Sequence, residues 1–214
     1  MAAAIPETPT HALAVDGLCC IRGDRALFDG LTFELGPGEV VQLHGANGSG
    51  KTTLLRAICG LIPIEAGRVR WCGAALARAD EAFLGALTWI GHVPGVKADL
   101  TPRENLATDR ALNAATAGLA PHAAATRVGL GAHVDTPLRR LSAGQGRRTA
   151  LARLLVTPTP LWVLDEPLSA LDADGRALVE ALIGEHAARG GLTLLSTHQP
   201  LAPAGAPTRA IALD

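Results

Sequence analysis

One stretch constrains this chain more than any other. Residues 45–52 read GANGSGKT, which fits the pattern G-x-x-x-x-G-K-[ST]. The apolar run VVQLH stands before it, and KTTLLRAIC follows with apolar side chains at helical spacing. A buried strand, a glycine-rich turn and a helix in that order leave few folds open. Glycines allow several main-chain N–H groups to turn inward and approach an anion. The helix beginning near Lys51 contributes free amides and the positive end of its dipole. Gly45, Ala46, Asn47, Gly48, Ser49 and Gly50 then form a phosphate cradle, with Lys51 reaching the β- and γ-phosphates of a nucleotide. The Thr52 hydroxyl is the expected ligand for Mg2+, and Thr53 adds an α-phosphate contact.

The rest of the chain suits an α/β fold with a parallel core sheet. TPLWVLDEP and LTLLSTH are short apolar runs of the kind buried on both faces, and the helical pattern RALVEALIGEHAARG lies between them. Residues 12–42 alternate apolar stretches with Gly, Asp and Pro, which suits antiparallel strands leading into VVQLH, and EAGRVRWCG reads as a further hairpin. The helix after the loop should end at Gly60 or Pro63. Residues 102–135 are alanine-rich and helical, broken at Pro121, within a small helical lobe spanning roughly 94–150. The expected division is an N-terminal extension over 1–11 and one domain over 12–214.

Composition narrows the function classes. Apolar residues make up 48% of the 214 residues and charged residues 18%, enough for a sizeable core. A net charge of −1 argues against a broad nucleic-acid surface. Cys19, Cys20, Cys59 and Cys72 show no metal-binding spacing and suit a reduced compartment. No apolar run approaches the ~20 residues of a membrane span, so a membrane role would need a partner.

Two further motifs carry chemistry. Asp165 and Glu166 of LWVLDEP stand where a buried strand emerges, and open α/β sheets bind ligands at such strand ends. Asp165 suits a Mg2+ ligand, and Glu166 a general base polarising the attacking water. LSAGQGRR places Ser142, Ala143, Gly144 and Gln145 at a helix start, a second anion site in the same chain. One ATP can be sandwiched between the two sites when two chains pair head to tail.

Here the chain resembles the ATP-binding cassette family over about residues 12–214. Its signature is usually L-S-G-G-Q, against L-S-A-G-Q here, so Ala143 is a mild departure. The order phosphate loop, helical lobe, signature, acid pair, SALD and histidine also matches. The resemblance implies the fold of phosphate-loop cassette ATPases, with an N-terminal antiparallel β subdomain and a small α-helical subdomain. It implies ATP and Mg2+ as ligands, Asp172 at a dimer interface, and His198 on the γ-phosphate.

Two positions depart from the family. An aromatic residue usually stacks on adenine, and Arg22 takes that place, where a guanidinium plane can stack on a base or stand as an exposed turn residue. A glutamine usually follows the core strand, and here either His92 or Val93 of GHVPGVKADLT occupies its place. His92 is structural in the simplest reading, shaping a surface that grips a membrane subunit. GHVPGVKADLT, CIRGDRALF and THQ together resemble the group of cassettes that power haem exporters of c-type cytochrome maturation. The resemblance implies a pair at the cytoplasmic face of a bacterial inner membrane, docked to integral membrane subunits through residues around 89–105. A cassette exporting another substrate would share the catalytic motifs. A soluble non-transport cassette would need a coiled-coil insertion, a second cassette or a basic face.

Overall fold

The computed structural model describes residues 13–22, 25–77, 80–115 and 117–213, with the backbone alone at residues 22 and 25. The expected extension over 1–11 lies outside them. Three apolar runs become central parallel strands: β3 (Val40–His44), β7 (Leu161–Asp165) and β8 (Leu192–Ser196). Every residue of β7 and β8 is buried, which is why these strands carry continuous apolar runs and no alternation. They pair in the spatial order β7-β8-β3, with β6 (Leu87–Ile90) and β9 (Thr208–Ala212) on the two edges. All four pairings in this sheet are parallel.

A second sheet is antiparallel and runs β2-β1-β4-β5, from β1 (Leu13–Arg22), β2 (Arg25–Leu35), β4 (Ala66–Trp71) and β5 (Ala74–Ala75). Its apolar face packs with the core sheet around α1 (Lys51–Ile58). The period of two along β7 divides its side chains between two cores. Leu161 and Val163 join the cluster holding Leu54, Leu55 and Ile58 of α1, whereas Trp162 and Leu164 point to the other face. There they meet α5 (Ala143–Val156) and α6 (Ala173–Ala188).

The short helix α2 (Glu81–Ala86) leads into β6, and α3 (Pro102–Leu112) and α4 (Pro121–Arg127) build the lobe. Helix α3 begins at a capping box between Thr101 and Glu104, with Pro102 in its first turn. Leu106, Ala124, Ala125 and Val128 form a third core with Ala152 and Val156 of α5. Helix α5 is therefore buried on two sides, against the core sheet through Ala150, Leu151 and Leu154 and against the lobe through Ala152 and Val156.

Helix α1 has its last helical residue at Ile58 and its C-cap at Cys59, and Gly60 with φ +69° terminates it, as one of the two expected ends had it. The structure departs from the sequence reading at two strands. Strands β6 and β9 were not legible: LTWI is only four residues, and β9 is an edge strand that is largely exposed.

Candidate functional site

Strands β3, β8 and β7 are neighbours, and each delivers its functional residues at its carboxyl end. The loop after β3 is residues 45–50, the acid pair closes β7, and His198 follows β8. Helix α1 begins at Lys51 behind Gly50, whose φ is +99°, and no side chain caps it. Its first amides therefore lack the partner that an N-cap side chain supplies, the arrangement that suits an anion. Gly45 cannot be replaced cheaply: a Cβ there would stand 2.3 Å from Leu213 O and 2.5 Å from Ser49 Oγ. The Ser49 hydroxyl is buried without a hydrogen-bond partner. Lys51 Nζ donates to Gly45 O at 2.7 Å and Ala46 O at 3.0 Å, which keeps the ammonium over its own loop.

Asp165 is fully buried and joins two motifs. Thr52 Oγ1 donates toward its two carboxylate oxygens at 3.1 and 3.0 Å, and Ser196 Oγ donates to Oδ1 at 2.7 Å. Ser196 Oγ also accepts from the Glu166 N–H at 3.0 Å. A hydroxyl held against both oxygens of a carboxylate is a fitting donor pair for a hard divalent cation. Among the described residues no group of three or more His, Cys, Asp or Glu is arranged to hold a metal alone. A cation here would take its remaining ligands from phosphate and water.

Glu166 has φ +50°, a left-handed conformation that a non-glycine residue adopts at a cost of roughly 1–3 kcal/mol. Its Oε1 lies 3.3 Å from His198 Nε2, within ion-pair reach of a protonated imidazole, and that buried oxygen accepts no hydrogen bond. A carboxylate oxygen left without a donor in a cleft is free to accept from water. Leu27, Asn47, Gly48, Gly50, Lys51, Thr52, Thr53, His92, Glu166 and His198 line one open cleft of about 360 Å³.

The second group lies elsewhere. Ser142, Ala143, Gly144 and Gln145 line a cleft of about 570 Å³ with Arg148, Ala170, Leu171 and Asp172. The two clefts share no lining residue. Ser142 caps α5: its Oγ accepts from Gln145 N at 3.2 Å, while Gln145 Oε1 accepts from Ser142 N at 2.8 Å. A Cβ on Gly144 would stand 2.8 Å from Ala170 O, so this helix start and the SALD loop touch closely. Asp172 caps α6 by accepting from Gly175 N at 2.8 Å. That bond, with Arg148 nearby, holds its carboxyl below the ordinary carboxylate range.

Sequence reasoning missed Arg147. Its side chain is buried and donates to Gly91 O, Asp165 O, Glu166 O and Pro167 O at 2.6–3.2 Å. Burial lowers its pKa from the ordinary arginine value, against the opposing charges of Asp165 and Glu166. Ser196 was missed as well. The Arg22 side chain lies outside the described residues. Of the two positions left open in the loop after β6, His92 lines the first cleft and Val93 is 77% exposed. Asn105 of α3 braces the following segment, accepting from Lys97 N at 2.7 Å and donating to Lys97 O at 3.1 Å.

A family model described as ABC transporter matches residues 28–169. The cytochrome c biogenesis ATP-binding export protein CcmA of Methylococcus capsulatus is 48% identical over 190 residues, covering 88% of this chain and 92% of that protein. The protein of the same name from Yersinia pestis is 45% identical over 201 residues, covering 94% and 92%. Among solved structures, an ABC transporter ATP-binding protein from Pyrococcus furiosus superposes with a TM-score of 0.79 at 24% identity, over 94% of this chain and 96% of that one. A bacterial Atm1-family ABC exporter with ATP bound gives 0.80 at 24% identity, over all of this chain and 39% of that one. At those identities the structural likeness speaks to the fold.

Proposed function

The chain belongs to the ABC transporter family, and from that premise we propose that it is the ATP-hydrolysing subunit of an export complex serving cytochrome c biogenesis. The observation that carries the reading is the separation of two phosphate-binding surfaces into clefts with no residue in common. In this reading one chain carries both halves of a nucleotide site, and they open on different clefts. Two copies paired head to tail bring the loop of one against the Ser142 helix start of the other, twice.

In that pair the amides at the start of α1 and the Lys51 ammonium hold the β- and γ-phosphates. Thr52 and Asp165 would hold Mg2+, whose charge offsets that of the phosphates. Glu166 accepts a proton from water through the carboxylate oxygen that accepts no other hydrogen bond, and His198 beside it orients that water toward the γ-phosphate. Ser142 and Gly144 of the second copy supply a hydroxyl and amides to the opposite side. Binding closes the pair and hydrolysis reopens it, which is the motion passed on.

No described helix is long and apolar enough to cross a membrane. Integral membrane subunits docked on residues 89–105 would hold the pair at the cytoplasmic face of an inner membrane, where hydrolysis drives export of haem or release of its chaperone. The test uses the purified full-length chain. Glu166→Gln retains ATP binding and accumulates as an ATP-bound dimer, with hydrolysis reduced by roughly 10²–10⁴. Hydrolysis at the wild-type rate would remove Glu166 from the base position.

A further inference from the structure

Arg147 joins three parts of the molecule that the proposed cycle must move together. It sits in the second turn of α5, the helix whose first residues Ser142 and Gly144 face the second cleft. Its Nη2 donates to Asp165 O at 2.8 Å and Glu166 O at 2.6 Å, and its Nε to Pro167 O at 3.2 Å. Its Nη1 donates to Gly91 O at 2.7 Å, the first residue beyond β6 and the neighbour of His92. A guanidinium offers five N–H groups in a rigid plane, so four carbonyls from two chain segments are held by one side chain.

The acid-pair turn needs such a restraint. Glu166 keeps a left-handed φ of +50°, a conformation that persists only where surroundings over-determine it. Its N–H is held by Ser196, and its carbonyl by Arg147 and the Ser169 N–H. Of these restraints, only Arg147 reaches outside the core strands and their own turn, to α5 and to the segment after β6.

We propose that Arg147 is a positioning residue for hydrolysis: it holds Glu166 in attack geometry only while α5 and the segment beginning at Gly91 are both seated. The inference rests on the ATPase reading above. It makes the hydrolytic base responsive to two surfaces it does not touch, the signature end of α5 and the face around residues 91–97.

The test is a cycle of variants of the full-length chain, read by ATP binding and steady-state hydrolysis with Mg2+. Arg147→Gln lowers kcat by roughly ten- to hundredfold, the range expected when a reacting group is misplaced by about an ångström. KM and ATP affinity stay within about threefold, because the loop at 45–53 is untouched. Arg147→Lys falls in between, since a lysine donates to three groups from one point. In a Glu166→Gln background Arg147→Gln causes no further loss, because Arg147 acts through Glu166. An equal loss in that background, a parallel collapse of ATP affinity, or an unchanged kcat would each overturn the proposal. If Arg147→Gln fails to fold, Arg147→Lys carries the same comparisons. A wild-type chain that does not hydrolyse ATP would instead sink the ATPase reading itself.

Discussion

At the scale of single residues, the site is an economy of few polar atoms among buried strands. Asp165 is held by hydroxyls from two different elements, and Glu166 is left with an oxygen free to accept. The loop and the acid pair stand out because each is a short contiguous string of distinctive side chains, whereas His198 was singled out only by the family resemblance. Arg147 was missed, because its partners are main-chain carbonyls, which every residue possesses and no sequence pattern marks. Ser196 was hidden for a related reason: a serine ending an apolar strand reads as ordinary until the strand order sets it against Asp165 and Glu166. A second buried group lies away from the site. His186 stacks on Trp162 with ring centroids 3.7 Å apart, and burial pushes its pKa down to about 3. The unfolded chain takes up this proton below about pH 6.5, whereas the folded chain does not until near pH 3. The stability it affects is therefore full above pH 6.5 and is lost as the pH falls through that window. Between pH 7.5 and 5.5 the wild type should lose roughly 1 kcal/mol more than His186→Phe in urea titrations. Equal losses would show that His186 is not buried neutral.

At the scale of elements, the two helix starts differ in a way that suits the roles proposed for them. Helix α1 has no side-chain cap and leaves its amides to a ligand, whereas α5 is closed by the Ser142–Gln145 capping box. Ser142 thus serves stability as well as the proposed nucleotide contact. Ser142→Ala should cost about 1 kcal/mol by thermal or urea unfolding. In the same variant hydrolysis should fall by more than tenfold, well beyond what that stability loss accounts for in a chain that remains folded. A fall in stability with full hydrolysis would reduce Ser142 to a cap. The central strands could be read from their continuous apolar runs and α6 from the helical run ending at Gly190, whereas of α5 only the start at Ser142 was read. Strands β6 and β9 escaped because edge position removes one buried face, and with it the pattern.

At the scale of the whole molecule, the proposed function makes the chain half of a working unit. Its phosphate loop and its signature helix open on different clefts, and in the proposed pair a second copy completes each nucleotide site. Complementation tests this. Lys51→Ala and Ser142→Arg chains should each be nearly inactive alone, because both sites of each dimer are defective. Mixed together they should regain a fraction of wild-type hydrolysis, since each mixed dimer carries one intact site. No recovery on mixing, in chains shown to exchange, would contradict head-to-tail pairing.

The most direct measurement is made in the native host. The gene is replaced by its Glu166→Gln form, accumulation of the protein is confirmed, and covalently haem-bound c-type cytochromes are quantified. These cytochromes should be lost while other haem proteins stay at normal levels. Normal c-type cytochromes in cells relying on the variant alone would contradict the proposed function.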